Sequence, residues 1–451
     1  MASEPGGPRR VTIHAIAHGG EGIGRVLGDA ADTRVWFIEG ALPGDTVLAE
    51  ATQVKTRMIR GRTLELVAPS PLRQEAPCVL ADRCGGCGWQ HVRPDAQADL
   101  KAQIVTDLLR KFQVPIARVF ASPAAEGYRR RARVHFEQGP AGLQLGFFGR
   151  GGHAVVDAEQ CMVLDAPLRH ALTKIRAVAA ALPARGELYG ISDGSRAILG
   201  VAAQAEVAGQ RVPLPPLIGD TGALRARLAA LLDATLVGIV VAGPRGGLGV
   251  GETTLDIDAS GPEDMSVRAG PFGFAQAQAD QNTALVAHVL RFAGGERRRR
   301  GLELFAGAGN FTRGLAGVVR ELVVIETDAH GIEGLQRLAA RVGVQGGARV
   351  IVRREPAATA LSRAAEAGDR FDLVVLDPPR GGLGTGPARD LARVARGRTI
   401  YIACDPATLA RDLAVLTQAG HELVDVSVFD LMPMTPEVEV VAVLDRKPEE
   451  A

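Results

Sequence analysis

Beyond Gly301, short apolar runs alternate with stretches of helical spacing. That alternation restricts the segment to a doubly wound α/β sheet whose strands are mostly parallel. Leu302-Glu303-Leu304-Phe305 reads as a strand, Ala306-Gly307-Ala308-Gly309-Asn310 as a glycine-rich turn, and Phe311 opens a helix. Such a turn lets a ligand approach bare backbone at the first crossover. Threonine at 312 replaces the third glycine of the dinucleotide fingerprint, and no P-loop lysine follows. The next strand, residues 322–326, ends in Glu326, 19 residues beyond Gly307, where a carboxylate can accept both ribose hydroxyls of an adenosine. A third strand, 349–352, leads to Glu355, and a fourth, 371–376, ends in Asp377-Pro378-Pro379-Arg380. The prolines fix a rigid turn and leave few backbone donors to compete for the aspartate. The last two strands, near 422–429 and 437–444, are expected to form an antiparallel edge.

The fifth strand, Tyr401-Ile402-Ala403, stops abruptly at Cys404-Asp405-Pro406, and a helix begins with Thr408-Leu409-Ala410-Arg411-Asp412. Ligands bind outside the carboxyl ends of strands in an open parallel sheet, so the thiol is placed where chemistry occurs. The helix N-terminus beside it is expected to favour the thiolate. A lone intracellular cysteine is otherwise a small, inert core residue.

Five cysteines divide as four plus one: Cys78, Cys84, Cys87 and Cys161, then Cys404. In Cys84-Gly85-Gly86-Cys87 the glycines let the backbone fold tightly around a metal centre, and Cys161 can add a fourth ligand from a distant loop. Four thiolates suit tetrahedral zinc or an iron–sulfur cluster, and spacing alone leaves both open. The start of the chain lacks the apolar core of a signal peptide, and the apolar run near 234–243 is too short to span a bilayer. The expected location is the cytoplasm, where a disulfide framework is not.

Residues 11–67 read as short strands separated by glycine-rich turns, a pattern of small β-barrels. Gly20–Gly24 and the run from Val35 to Ala41-Leu42-Pro43-Gly44-Asp45 resemble a TRAM domain, an OB-like RNA-binding module. RNA binding is therefore expected of it. Net charge is +1 overall, yet residues 1–135 carry 19 Lys and Arg against 14 Asp and Glu. A helix is expected over 101–118. Tyr128-Arg129-Arg130-Arg131-Ala132-Arg133 then leads into a strand that either grips RNA phosphate or forms a charge-protected edge. Two more helices are expected near 168–182 and 223–232, and another from Phe274 to about Phe292.

The combination of Leu-Phe-Ala-Gly-Ala-Gly-Asn-Phe-Thr, Asp-Pro-Pro-Arg-Gly-Gly, Ala-Cys-Asp-Pro-Ala-Thr and Leu-Met-Pro-x-Thr-x-x-Val-Glu looks like the S-adenosylmethionine-dependent RNA uridine-5-methyltransferases. With the barrel and the cysteines, it looks most like the branch acting on 23S ribosomal RNA. That resemblance implies three parts. A TRAM-like barrel occupies 1–68, a mixed α+β domain with a four-iron, four-sulfur (4Fe-4S) site 69–265, and a class I, Rossmann-like methyltransferase domain 266–451. It places Gln276, Phe305, Gly307, Asn310, Glu326 and Asp377 at cofactor-binding positions, Cys404 at the nucleophile and Glu439 at the general base. The cluster ligands are Cys78, Cys84, Cys87 and Cys161. The implied partner is RNA, with no membrane and no obligate protein partner. Two alternatives are a transfer-RNA uridine-5-methyltransferase and a non-catalytic RNA-binding assembly factor. The sequence departs from the family at Asp405, usually Asn, whose charge is expected to raise the thiol's pKa. It departs also at Glu437, where histidine is common, and at Gln278, where asparagine is usual.

Overall fold

The structure is a computed structural model. It describes residues 7–29, 32–140, 142–202, 204–207, 210–213, 221–242, 247–258, 266–294, 298–344 and 347–447. The expected boundary at 265/266 borders residues 259–265, outside the described residues.

Five strands, Arg9–Ile16, Gly22–Val26, Val35–Glu39, Thr46–Val54 and Met58–Ala68, close into a barrel. Their alternation sends Val11, Ile13, Trp36, Ile38, Val47 and Ile59 into one small core. The Ala-Leu-Pro-Gly-Asp segment is the turn before the fourth strand, and its aspartate explains the motif. Asp45 is fully buried; it accepts the N–H groups of Leu42 at 2.6 Å and Ser70 at 2.8 Å and a two-pronged bond from Arg73.

The central region is a seven-stranded mixed sheet. Its order is Leu248–Gly251, Leu236–Ala242, Ala197–Ala202, Arg185–Ser192, Arg131–Gly139, Gly142–Phe148 and Val155–Asp157. The arginine-bearing strand therefore lies inside the sheet rather than at its edge, although pairing with Gly142–Phe148 begins only at His135 and Arg131 and Arg133 are paired on one side alone. Helix Ala166–Ile175, with Leu168, Ala171, Leu172 and Ile175 inward, covers one face.

The third unit is an eight-stranded sheet ordered Arg349–Arg354, Val319–Glu326, Arg298–Leu304, Phe371–Leu376, Ala395–Ala403, Glu439–Arg446, His421–Phe429 and Arg118–Phe120. The first five strands are parallel, as the alternation requires. Leu304, Val323, Ile325, Val374 and Tyr401 enter one core, and Leu322, Val324, Val375, Ile400 and Ile402 the other. The last two strands do pair antiparallel, but they are not the edge. The short strand Arg118–Phe120, from far upstream, adds in parallel beyond His421–Phe429.

That strand begins where the expected helix was to end, and the helix itself stops earlier. The helix runs Pro94–Leu109, started by proline in its first turn, and a 3-10 turn carries it to Phe112. Gln113, in the left-handed conformation at φ 57°, stops it. Val105 and Leu109 pack on the eight-stranded sheet, while Leu100 and Ile104 pack with Trp89, Leu42 and Ile16. One helix thus joins barrel to sheet.

Candidate active site

The parallel strands end on one side of the sheet, and the turns that follow them line a cavity of about 420 Å3. All eight residues expected to bind cofactor or do chemistry line it: Gln276, Phe305, Gly307, Asn310, Glu326, Asp377, Cys404 and Glu439.

The glycine turn is built on positive φ: Phe305 at 61°, rare for an aromatic, then Gly307 at 58° and Gly309 at 104°. Nothing lies within 4 Å of where a Cβ on Gly307 would be, so open space faces the backbone there. Glu326 is fixed at the tip of its strand. Its Oε2 accepts the Gly307 N–H at 2.7 Å, and its Oε1 accepts Thr327 N–H at 2.6 Å and Asp328 N–H at 2.8 Å. Asn310 exchanges two amide hydrogen bonds with Asn282, each 2.9 Å. The helix expected from Phe274 begins only at Ala279, leaving Gln276 on an irregular segment along the cavity wall. Gln278 turns away instead, donating to Ser122 Oγ at 2.7 Å.

Cys404 ends its strand beside Asp377 and Glu439 in the same cavity. Burial pushes its thiol up to about 12, the charges on Glu439 and Asp377 add to the shift, and Arg380 opposes it. The thiolate favoured by the helix N-terminus in the sequence reading is therefore outweighed. Asp405 is not among the principal causes. Its carboxylate caps the helix Pro406–Gln418, accepting Ala407 N–H at 2.9 Å and Thr408 N–H at 2.8 Å, and meets His18 Nε2 at 3.2 Å. Burial would raise the Asp405 carboxyl, but Thr408, His18 and Ala407 together hold it low.

Glu439 is 8 % exposed, and its Oε1 has no hydrogen-bond partner among the described residues. Burial raises its carboxyl well above the usual range, helped by charge on Asp377 and Glu437 and opposed by Arg380. Burial raises Asp377 as well. Asp377, Cys404 and Glu439 share one cavity, so each proton lost makes the next harder to remove. Glu437 differs from Glu439: it meets Arg380 at 2.6 Å toward solvent.

This electrostatics gives an expected result. Glu439→Gln removes one of the charges acting on Cys404, so its thiol ionises at lower pH. Carbamidomethylation of the Cys404 peptide at pH 9 is then about tenfold faster per unit of pKa regained. An unchanged rate would mean that the Glu439 charge does not reach the sulfur.

Several site-forming residues escaped the sequence reading. The loop between His421–Phe429 and Glu439–Arg446 is held from the N-terminal half of the chain. Lys101, fully buried, donates to the Asp430 carboxylate and to Met432 O at 3.1 Å. Gln97 Oε1 accepts Met434 N–H at 2.6 Å, Trp89 N–H donates to Met434 O at 2.9 Å, and Tyr128 hydroxyl donates to Pro433 O at 3.2 Å. Partners such as Lys101 and Asp430 lie 329 positions apart, and no spacing rule links them. Arg129, Arg130 and Arg131 also line the cavity. The arginine run was legible as an anion-binding candidate, though not its address.

Cys78, Cys84, Cys87 and Cys161 line a second, small cavity together with Gln90, Phe147 and Arg129. Burial raises the thiols of Cys84 and of Cys87, the latter to about 11, and Cys161 adds to both. Among the described residues, no three His, Cys, Asp or Glu side chains form a group able to hold a metal ion. No helix among them is long and apolar enough to cross a membrane.

Two family models match the chain: one described as tRNA (Uracil-5-)-methyltransferase over residues 263–447, and a TRAM domain over residues 2–64. The 23S rRNA (uracil(1939)-C(5))-methyltransferase RlmD of Pseudomonas putida is 30% identical over 446 residues, 98% of this chain and 94% of its own. The protein of the same name from Chromohalobacter salexigens is 32% identical over 448 residues, 97% and 89% of the two chains. The crystal structure of the Pyrococcus abyssi tRNA (uracil-54, C5)-methyltransferase in complex with S-adenosyl-L-homocysteine superposes with TM-score 0.68 at 22% identity, covering 97% of this chain and 99% of that one. That likeness establishes the fold.

Proposed function

The chain belongs to the S-adenosylmethionine-dependent RNA uracil-5-methyltransferase family, and on that premise we propose that it methylates C5 of a uridine in 23S ribosomal RNA through a covalent adduct on Cys404. The observation that carries this reading is the meeting of Cys404, Glu439 and Asp377 with the glycine turn and Glu326 in one cavity.

Gln276, Phe305, Gly307, Asn310, Glu326 and Asp377 would hold S-adenosylmethionine. The open space at Gly307 and the anchored Glu326 carboxylate suit an adenosine laid along the turn. When bound, S-adenosylmethionine supplies an electrophilic methyl group. Uracil C5 is a weak nucleophile, and Cys404 changes that. Its thiol gives up its proton to solvent, the thiolate adds to C6, and the electron pair of the C5–C6 double bond moves to leave C5 enolate-like and able to take the methyl. Glu439 then accepts the C5 proton; the electron pair re-forms the double bond and expels the thiolate. The raised carboxyl of Glu439 makes it a stronger base than an exposed glutamate. Uracil must be splayed from its RNA to enter, and Arg129–Arg131 at the cavity wall can hold the phosphates on either side.

The cysteine cavity is read as the 4Fe-4S site. Cys78, Cys84, Cys87 and Cys161 line this one small cavity, and four thiolates are the donor set of such a cluster. Arg129 lines this cavity and the reaction cavity alike. The cluster's part is structural, since the reaction moves no electrons to or from a metal. Cys84→Ala is expected to lose its iron and to weaken RNA binding or lower the melting temperature, with S-adenosylmethionine affinity unchanged within about twofold. Full methylation by iron-free protein would refute this role. The division into 1–68, 69–265 and 266–451 goes with this reading, as does a cytoplasmic enzyme with no obligate protein partner.

The test uses unmodified 23S ribosomal RNA and unmodified transfer RNA, each incubated with protein and S-adenosylmethionine and mapped by mass spectrometry of nuclease fragments. A methyl group on uracil C5 of the ribosomal RNA is expected. Methylation of transfer RNA alone would keep the chemistry and overturn the substrate. No methylation and no cofactor binding would favour a non-catalytic RNA-binding assembly factor.

A further inference from the structure

Away from the cavity, the start of the strand Ala395–Ala403, the helix Thr385–Val394, the end of the helix Pro406–Gln418 and the end of the strand Glu439–Arg446 surround a cleft of about 510 Å3. Its polar lining is Arg370, Arg389, Arg393, Arg396, Arg446 and Gln418, with no carboxylate among the lining residues. Gathering five guanidiniums costs Coulomb repulsion that core packing does not demand, because four of the five are exposed. Several arginines elsewhere are answered by carboxylates: Arg73 by Asp45, Arg300 by Glu321 and Asp369, Arg398 by Asp445. Here, among the described residues, the side chains of Arg370 and Arg446 donate only to the main-chain carbonyls of Asp369 and Ala419. Arg389 has no ion pair among the described residues. Arg393 has Asp390 at 3.5 Å.

We propose that this cleft binds the phosphate backbone of a second segment of the RNA substrate, remote from the target uridine. The proposal rests on RNA being the substrate. The guanidinium fork matches the paired oxygens of a phosphate, and exposed arginines spread over several elements suit a diester chain crossing an open cleft. The separation excludes the target nucleotide itself. Arg396 and Cys404 stand at opposite ends of one strand, roughly 26 Å apart at about 3.3 Å per residue. The cleft therefore meets RNA brought there by the fold of a large molecule, and it favours long folded RNA over an isolated stem–loop.

The experiment compares the full-length 23S transcript with the shortest transcript fragment that the protein still methylates. The protein is used as the wild type and as the combined variant Arg370→Gln, Arg389→Gln and Arg446→Gln. On the full-length transcript, the variant is expected to bind about tenfold more weakly. The slope of log affinity against log salt should flatten by about 2 to 3, the value for three lost phosphate contacts. On the short fragment, affinity, kcat and KM stay at wild-type values, which also shows that the variant is folded. The corresponding combined lysine variant retains most of the affinity for the long RNA, because the charge is kept. Equal loss on both RNAs, or loss on neither, overturns the proposal. Binding of tripolyphosphate by the wild type alone, with long-RNA affinity unchanged in the glutamine variant, would assign the cleft to a small phosphorylated ligand instead. If the wild type methylates neither RNA, the function reading itself fails and the assignment of the cleft with it.

Discussion

Cys404→Ala is expected to abolish methyl transfer, with a loss on the order of ten-thousandfold or more, while leaving S-adenosylmethionine and RNA binding within about twofold of the wild type. The size follows from what the sulfur does. Without addition at C6, uracil C5 remains a weak nucleophile, and no other group in the cavity can take its place. Asp377 and Glu439 are carboxyls with raised pKa values, and Arg380 is paired with Glu437. The side chain is only half-buried, so its removal leaves the turn standing. Asp405 still caps the helix, and Pro406 still starts it. Rates of methylation, with calorimetric titration of the cofactor, separate chemistry from binding. A residual activity within about a hundredfold of the wild type would require a route without covalent addition.

Glu439→Gln is expected to slow turnover by a factor of about 100 to 10,000, the usual range for a lost general base, and to do so at a different step. Addition and methyl transfer still proceed, but the C5 proton stays in place and the thiolate cannot be expelled. Methylated RNA covalently bound to protein therefore accumulates and runs as a shifted band on a denaturing gel. Glu437→Gln is the control. That carboxylate pairs with Arg380 toward solvent, and its loss should change turnover by only a few-fold. A trapped adduct in the Glu437 variant, with free RNA in the Glu439 variant, would exchange their roles.

The parts of this account that were legible in the sequence are those governed by local rules. The alternation beyond Gly301 specified a parallel sheet because buried strands and crossover helices leave different periodicities. The glycine turn, the acid ending the second strand and the cysteine ending the fifth converge because every parallel strand presents its carboxyl end to the same side. The barrel was legible from strand spacing, and Asp45 supplies the physical reason for one of its motifs. Other features depended on partners distant in the chain. The strand Arg118–Phe120 forms because an exposed sheet edge takes it up, and nothing in its own sequence marks it as a strand of that distant sheet. Lys101, Gln97 and Trp89 hold the loop before Glu439 from the opposite end of the chain. The charge logic at Cys404 also required three dimensions. Sequence adjacency pointed to Asp405, whereas the groups that raise the thiol are burial, Glu439 and Asp377. Asp405 points instead into its own helix and toward His18 of the barrel.

The covalent step is open to one direct measurement. A 23S ribosomal RNA transcript carrying 5-fluorouridine in place of uridine is incubated with the wild-type protein and S-adenosylmethionine, digested with nuclease and protease, and analysed by mass spectrometry. Fluorine cannot leave C5 as a proton does, so Glu439 has nothing to remove and the adduct persists. The expected product is a peptide containing Cys404 joined to one methylated fluorouridine nucleotide, absent from Cys404→Ala protein. An adduct on any other residue, or full turnover without one, would contradict the assignment of Cys404 as the nucleophile.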